Sequence, residues 1–164
     1  MAGQGLKELF IHQLKDTYFA ENAIADALPK FAQAAQSPDL KGALGVHAEE
    51  TRNQVKRLDQ VFKILGQKPQ GVECKAMRGI LAEGDEVIAE FGGEPAIDAG
   101  LIAAAQAVEH YEITRYGTLL AWAKQLDMAD IGELLKETLV EEENTDVILS
   151  ELAEDAVNPK AAEG

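Results

Sequence analysis

The acidic residues with the strongest chemical signal lie inside the apolar stripe of a predicted helix. The stripe alternates in steps of three and four residues: Ile102, Ala105, Glu109, Glu112, Tyr116, Leu119 and Ala123. Glu109 and Glu112 are three residues apart, so both side chains lie on one helix face. Two carboxylates in a dry interior repel each other and lose their hydration, which predicts a compensating cation. The alternative is a rotated helix that exposes the pair to water.

The last long helix repeats this pattern. Its predicted inner stripe is Leu135, Leu139, Glu142, Asp146, Leu149 and Ala153. Glu142 and Asp146 are four residues apart and therefore share a face. Glu141 and Glu143 flank the stripe, and we expect them to be solvated.

Polar residues interrupt the first two predicted helices at a similar height. Glu21 lies between Thr17 and Ile24 on the first helix. The stripe of the second helix is Leu40, Leu44, His47, Glu50 or Thr51, Gln54, Leu58, Val61 and Leu65. His47 fits either a metal ligand or a hydrogen-bonded core histidine. Acids near the middle of four long helices predict a shared site.

The spacing of these acids predicts a metal centre. Glu21 and Glu50 are 29 residues apart, and Glu112 and Glu142 are 30 apart, so two helix pairs can place carboxylates at matching heights. An oxygen-rich shell of this kind suits two Fe or Mn ions. Zinc, which prefers nitrogen and sulfur ligands, fits less well.

Helical periodicity extends over almost the whole chain, and no segment has the period of a strand. The predicted helices cover residues 6–36, 37–66, 73–91, 95–127 and 130–157, the last stopping before Asn158-Pro159. Pro29 should kink or split the first of them. Ser37 and Pro38 form an N-cap signal for the second. Residues 158–164 should be a frayed tail.

Long helices with short loops predict an all-α fold, an antiparallel four-helix bundle. The shorter third helix, between core helices two and three, acts as an additional crossover. The length of 164 residues fits a single domain over residues 1–164, with an ordered core at about 6–157.

Composition excludes several classes of partner. The chain has 15 Lys and Arg against 29 Asp and Glu, a formal charge of −14. Such a surface does not bind nucleic acid or an anionic membrane. No apolar run is long enough to span a membrane, and the first residues lack an export signal, so we expect a cytoplasmic protein. A single cysteine, Cys74, and three histidines exclude Cys-rich and His-rich sites.

Several stretches of the chain also resemble a known family. They are residues 14–21, 47–51, 57–62 and 109–113, Tyr116-Gly117, and Glu141-Glu142 with Asp146. These stretches are similar to the YciE/YciF family of ferritin-like bacterial stress proteins. The resemblance covers about residues 6–155 and implies a ferritin-like, rubrerythrin-related bundle, often a homodimer, with a dinuclear metal centre.

The resemblance also implies a ligand set. The matching positions are Glu21, Glu50, Glu109, Glu112, Glu142 and Asp146. The rubrerythrin-like pattern has histidine where this chain has Asn53 and Asp146. Gln54 or His47 is the candidate substitute for a missing imidazole. A site of oxygen ligands alone could also hold Mg or Ca.

Three interpretations therefore stay open. The first, whose activity only the resemblance implies, is a di-iron or di-manganese oxidoreductase that oxidises Fe(II) or reduces O2 or peroxide. The second is a structural or interaction protein of the stress response, in which a metal only stabilises the bundle. The third is a helical bundle without a metal.

Overall fold

The regular elements of the computed structural model, which describes residues 4–164, are all helical. The long helices are α1 (Leu6–Ala34), α2 (Pro38–Ile64), α3 (Lys75–Phe91), α4 (Ile97–Gln125) and α5 (Ala129–Leu152). A π-helical turn (Ala153–Val157) and α6 (Asn158–Ala162) follow. No strand occurs in residues 4–164, and the prediction of an all-α fold is confirmed. Residues 1–3, the start of the predicted domain and of the segment searched for an export signal, lie outside the described part.

Four of these helices form the bundle. Helix α1 packs against α2 and α4, and α5 packs against α4 and α2. The loops after α1 and after α4 are only three residues long, so each pair is an antiparallel hairpin. The end of α1 and the start of α4 share one apolar cluster, so these two helices are antiparallel as well. The bundle prediction is confirmed.

Helix α3 is the crossover between the two hairpins. It covers α1 and α4 on the outside of the bundle. The segment before it lies along α1, where the backbone N–H of Val72 donates to the carbonyl of Lys15 at 3.1 Å. Cys74 caps α3, because its sulfur accepts the backbone N–H of Met77 at 3.3 Å. This segment returns the chain from the end of α2 to the start of α4.

A buried carboxylate joins the two hairpins at one end. Asp98, in the first turn of α4, accepts the backbone N–H groups of Gln36 at 2.7 Å and Ser37 at 2.8 Å. The Ser37 hydroxyl in turn accepts the N–H of Leu40, so the predicted N-cap of α2 is present. Asp98 therefore fixes the α1–α2 loop against α4.

The structure differs from the sequence prediction at two prolines. Helix α1 continues through Pro29 without a split, since Pro29 is exposed and water can bond to the carbonyl of Ala25. The last helix also does not stop before Asn158. A π-helical turn connects α5 to α6, and Pro159 lies in the first turn of α6, where a missing N–H costs little.

The buried stripe of α5 also differs from the predicted one. Thr138 and Thr145 are buried, whereas Leu139 and Asp146 lie half-buried beside them. Both paths satisfy helical spacing, so the sequence alone could not separate them. The threonine hydroxyls have partners across the bundle: Thr138 accepts from Arg57 at 3.1 Å and Thr145 contacts Glu50 at 3.4 Å.

The bundle interior has two apolar clusters with a polar layer between them. The upper cluster contains residues from the end of α1 and the start of α2 and α4, including Phe31, Leu44 and Leu101. The lower cluster contains residues from the opposite ends, including Phe10 and Phe62. The buried polar residues of the middle layer are Thr17, Glu21, His47, Thr51, Gln54, Glu109, Glu112, Thr138, Glu142 and Thr145.

Candidate metal centre

Four residues of the polar layer converge on one point. They are His47 from α2, Glu109 and Glu112 from α4, and Glu142 from α5, and one ligand atom from each lies within 4.8 Å of all the others. None of the four is more than 2% exposed. Two hairpins contribute to this group, so it exists only when they are packed together. Hereafter it is called the four-residue group.

The α4 carboxylates are buried without a hydrogen bond from any residue that the structure describes. Neither oxygen of Glu109 and neither oxygen of Glu112 has a hydrogen-bond partner among residues 4–164. Burial, reinforced by neighbouring carboxylates, raises the pKa of Glu109 to about 12. The same causes raise the pKa of Glu112 well above its ordinary value. An isolated buried carboxylate is costly, so these groups require a proton or a cation.

Glu21 lies beside the group on α1 and is fully buried. The Tyr116 hydroxyl donates a hydrogen bond to its Oε1, while its Oε2 has no partner in the described chain. Burial and the charge of Glu142 raise the pKa of Glu21 to about 8, and the bond from Tyr116 opposes this shift. The Tyr116 hydroxyl thus bonds to a carboxylate of the polar layer, whereas the Tyr18 hydroxyl donates to Asp59 at 2.9 Å.

His47 supplies the only imidazole of the four-residue group. Its Nε2 lies 3.0 Å from Oε1 of Glu109 and 3.9 Å from Oε2 of Glu142. The ring nitrogen is at ion-pair distance from Glu109 but is not oriented for a hydrogen bond. Burial lowers the pKa of His47, which favours the neutral imidazole that binds metals.

Gln54 is also fully buried, on the α2 side of Glu142. Its amide nitrogen donates to Oε1 of Glu142 and, at 3.0 Å, to Oε2 of Glu141. Its carbonyl oxygen has no partner among residues 4–164. The nitrogen of this amide, which cannot bind a metal, is thus the atom that faces the carboxylates.

The structure places three other predicted ligands outside the four-residue group. Glu50 is half-buried, and burial followed by the charges of Glu141 and Glu142 raises its pKa. Asn53 is exposed and accepts a hydrogen bond from Lys56.

Asp146 is bonded away from the group. It accepts hydrogen bonds from Gln106 at 3.2 Å and from His110 at 3.1 Å. The His110 side chain is itself largely exposed. Ligation by Glu50, Asn53 or Asp146 stays a prediction.

Sequence reasoning missed the pairing of Arg57 with Glu141. Glu141 was expected to be solvated, but it accepts two bonds from the Arg57 guanidinium and one from Gln54. The only available signal was a basic residue one turn after Gln54 on the edge of the α2 stripe. Such a residue has many possible acidic partners, and the partner is more than eighty positions away.

Comparisons with known proteins agree with the fold. Protein YciF of Escherichia coli K12 is 46% identical over 157 residues, which is 95% of each chain. The crystal structure of the E. coli stress protein YciF superposes with a TM-score of 0.90 at 44% identity and covers 95% of this chain and 99% of that one. The resemblance stated from the sequence motifs is therefore confirmed.

Two further structures are similar. YcfI of Rhodopseudomonas palustris, described as a candidate structural protein, has a TM-score of 0.88 at 48% identity and covers 90% of this chain and 94% of that one. A Xanthomonas campestris protein shares the fold, with a TM-score of 0.76 at 20% identity and 98% of both chains covered.

Two observations complete the comparison. Within residues 4–164, no helix has the length and apolar character needed to cross a membrane. Residues 5–162 match a family described as a domain of unknown function, DUF892. This match spans nearly the whole sequence, so the chain belongs to the DUF892 family.

Proposed function

We propose that this protein binds a dinuclear Fe or Mn centre in the middle of its bundle. The four-residue group would hold one ion, and Glu21 and Glu50 are the nearby carboxylates that could complete the site for a second. The observation that carries the proposal is the set of unpartnered carboxylate oxygens on Glu109 and Glu112. A single cation would compensate both residues at once, whereas protonation would have to neutralise each carboxylate separately.

The donor atoms support Fe or Mn. Carboxylate oxygens with one neutral imidazole suit both metals, and Mg or Ca would accept the oxygens but gain less from His47. Bound Fe or Mn would supply the redox chemistry needed to oxidise Fe(II) or to reduce O2 or peroxide. The chain itself holds the carboxylates in a dry interior and fixes one oxygen of Glu21 through Tyr116.

A second candidate function is a metal that only stabilises the bundle. The complete burial of the four-residue group favours it, because substrates need access to a catalytic metal. The R. palustris relative, described as a candidate structural protein, also favours it. In both versions we propose a cytoplasmic stress protein, by analogy with E. coli YciF, that forms a homodimer.

Metal content tests the proposal. We would purify wild type, Glu109→Ala/Glu142→Ala and the surface control Glu143→Ala/Glu151→Ala without chelator, then add Fe(II) or Mn(II) and measure bound metal by elemental analysis. We expect about two ions per chain in wild type and in the control, and loss in the site variant. Wild type without stoichiometric metal would overturn the proposal and favour a helical bundle without a metal.

Turnover separates the two candidate functions. Protein loaded with iron would be mixed with excess Fe(II) and either O2 or peroxide, and the oxidation of Fe(II) followed by absorbance. Catalysis beyond the bound ions, absent in Glu109→Ala/Glu142→Ala, supports an oxidoreductase. Stoichiometric metal that raises the unfolding temperature without turnover supports the structural role.

A further inference from the structure

We propose that Arg57, Glu141 and Gln54 form a positioning chain that aims one oxygen of Glu142 at the metal, and that Gln54 is a hydrogen-bond donor and not a ligand. This inference rests on the proposed metal centre. It assigns roles to an arginine and an acid that lie outside the four-residue group and that the ligand pattern does not include.

The outer step of the chain is the contact between Arg57 and Glu141. Arg57 Nη1 lies 2.8 Å from Glu141 Oε2, and Nη2 lies 2.5 Å from Oε1, so both carboxylate oxygens are held by one planar fork. The same guanidinium donates to Thr138 and to Glu137 on α5. Its side chain is only 14% exposed, so water competes weakly for these bonds. The Glu141 carboxylate is therefore held in one orientation, with both oxygens accepting hydrogen bonds from Arg57.

The middle step is the orientation of the Gln54 amide. Its Nε2 faces Glu141 Oε2 at 3.0 Å and also Glu142 Oε1. A flipped amide would place the Gln54 carbonyl oxygen against two carboxylates, which offer no hydrogen to it. The fixed charge of Glu141 thus keeps the nitrogen turned inward. Gln54 is fully buried, so no solvent replaces the lost bond after a flip.

The inner step selects an oxygen of Glu142. Its Oε1 accepts the bond from Gln54, while its Oε2 has no hydrogen-bond partner in the described residues and lies 3.9 Å from His47 Nε2. The carboxylate cannot rotate freely without breaking the Gln54 bond. Oε2 is consequently the oxygen presented to the rest of the four-residue group.

Adjacent positions on α5 explain why this chain needs both acids. Glu141 and Glu142 differ by about 100° around the helix, so one lies at the α2–α5 edge and the other in the interior. Gln54 spans the two because it comes from the opposite helix. A partner that orients a ligand in this way usually contributes about 10- to 100-fold to metal affinity.

Mn(II) affinity tests the positioning chain. We would titrate wild type, Arg57→Met, Arg57→Lys, Glu141→Gln and the control Arg52→Met with Mn(II) alone, and measure free Mn(II) by electron paramagnetic resonance. We expect affinity to fall about 10- to 100-fold in Arg57→Met and Glu141→Gln. Arg57→Lys keeps the positive charge but loses the two-pronged contact of the guanidinium, so its Mn(II) affinity should lie between that of wild type and that of these two variants. Arg52 is on the same helix, and its hydrogen bond and ion pair within residues 4–164 are to Ala48 and Glu49 of that helix, so its variant should bind like wild type.

A merely structural tie between α2 and α5 predicts a different result. In that case Arg57→Met and Glu141→Gln lower the unfolding temperature of the metal-free protein but bind Mn(II) as tightly as wild type. That outcome overturns the inference and leaves the metal centre intact. Glu141→Gln preserves side-chain shape, so it remains informative if Arg57→Met does not fold.

A second measurement requires no metal. The side-chain amide protons of Gln54, observed by nuclear magnetic resonance in metal-free protein, should exchange slowly with water and shift in Glu141→Gln but not in Arg52→Met. Unchanged Gln54 signals in Glu141→Gln would overturn the inference. If wild type itself binds no Mn(II) or Fe(II), the proposed function fails, and the role of the chain toward a metal fails with it.

Discussion

Four buried carboxylates face the same interior, but the protein provides hydrogen bonds to only two of them. Glu142 and Glu21 each accept one hydrogen bond from a buried side chain, Gln54 and Tyr116 respectively. Glu109 and Glu112, on α4, accept none from residues 4–164. All four are at most 1% exposed, so burial does not explain the difference.

This difference indicates which part of the site is organised in advance. The bonds to Glu21 and Glu142 fix one oxygen of each residue and leave the second oxygen free. Glu109 and Glu112 have no such bonds, so each negative charge must be neutralised by a proton or a cation. The pair should therefore control how the protein responds to pH and to metal.

The largest expected effect is the pH dependence of the metal-free protein. The pKa of Glu21 rises from 4.5 to about 8 on folding, and that of Glu109 rises to about 12. Between the ordinary pKa of 4.5 and the raised pKa of each folded group, the folded state binds more protons than the unfolded state. The contribution of these groups to stability is therefore largest at low pH and falls as pH rises. One such group changes the unfolding free energy by about 1.4 kcal/mol per pH unit, on the order of 4 kcal/mol from pH 5 to pH 8.

Urea unfolding at several pH values measures this dependence. The same series with saturating Mn(II) is the control, because a cation would favour the ionised carboxylates and reverse the slope. A metal-free protein whose stability rises between pH 5 and pH 8 would contradict the picture of uncompensated α4 acids.

A neutral substitution should separate the carboxylates without a hydrogen-bond donor from those with one. At pH 8 without metal, we expect Glu112→Gln to stabilise the protein by about 1–3 kcal/mol, since it removes an uncompensated acid. Glu142→Gln should change stability less, because it also weakens the bond from Gln54. With Mn(II) present, both variants should be less stable than wild type. A bundle without a metal predicts stabilisation by Glu112→Gln under both conditions, which calorimetry with and without Mn(II) would reveal.

Removing one hydroxyl should make Glu21 resemble the α4 acids. Tyr116→Phe leaves Glu21 Oε1 without its donor, and we expect a loss of about 1–2 kcal/mol in metal-free protein at pH 8. Tyr18→Phe is the matched control, because the Tyr18 hydroxyl donates to Asp59, a half-buried residue outside the polar layer. Equal losses of unfolding free energy in both variants, measured by urea unfolding, would show that the bond to Glu21 stabilises the protein no more than an ordinary tyrosine hydrogen bond.

The smallest effect is expected far from the polar layer. Asp98→Asn removes one of two acceptors for the backbone of the α1–α2 loop and should cost about 1 kcal/mol. This loss should be the same with and without Mn(II), because Asp98 lies outside the metal centre. A metal-dependent change in calorimetry would mean that the hairpin ends and the centre are coupled.

Helical periodicity made most of the fold predictable. The apolar stripes located all five long helices, and Ser37-Pro38 located one helix start to the residue. The first helix is not split at Pro29, because Pro29 lies on the exposed side of the helix, where water can bond to the carbonyl that the proline leaves without a donor; a kink there stays a prediction. The end before Asn158 was wrong because one π-helical turn lets the chain continue.

The site was predictable only where a single helix carries the signal. Glu109 and Glu112 interrupt one stripe, so their burial follows from local spacing. The choice between Glu50 and Thr51 depends on how α2 rotates against α5, which periodicity does not determine; Thr51 is buried and Glu50 only half-buried. Contacts such as Arg57 with Glu141 join distant parts of the chain and leave no local pattern.

The sealed polar layer has a kinetic consequence. His47, Glu109, Glu112 and Glu142 are shielded from solvent, so an ion can reach them only when the two hairpins separate locally. The rate of metal uptake then cannot exceed the rate of that opening, however high the concentration of free ion. If the rate of metal uptake reaches a plateau as metal concentration rises, the plateau value is the rate at which the two hairpins separate locally.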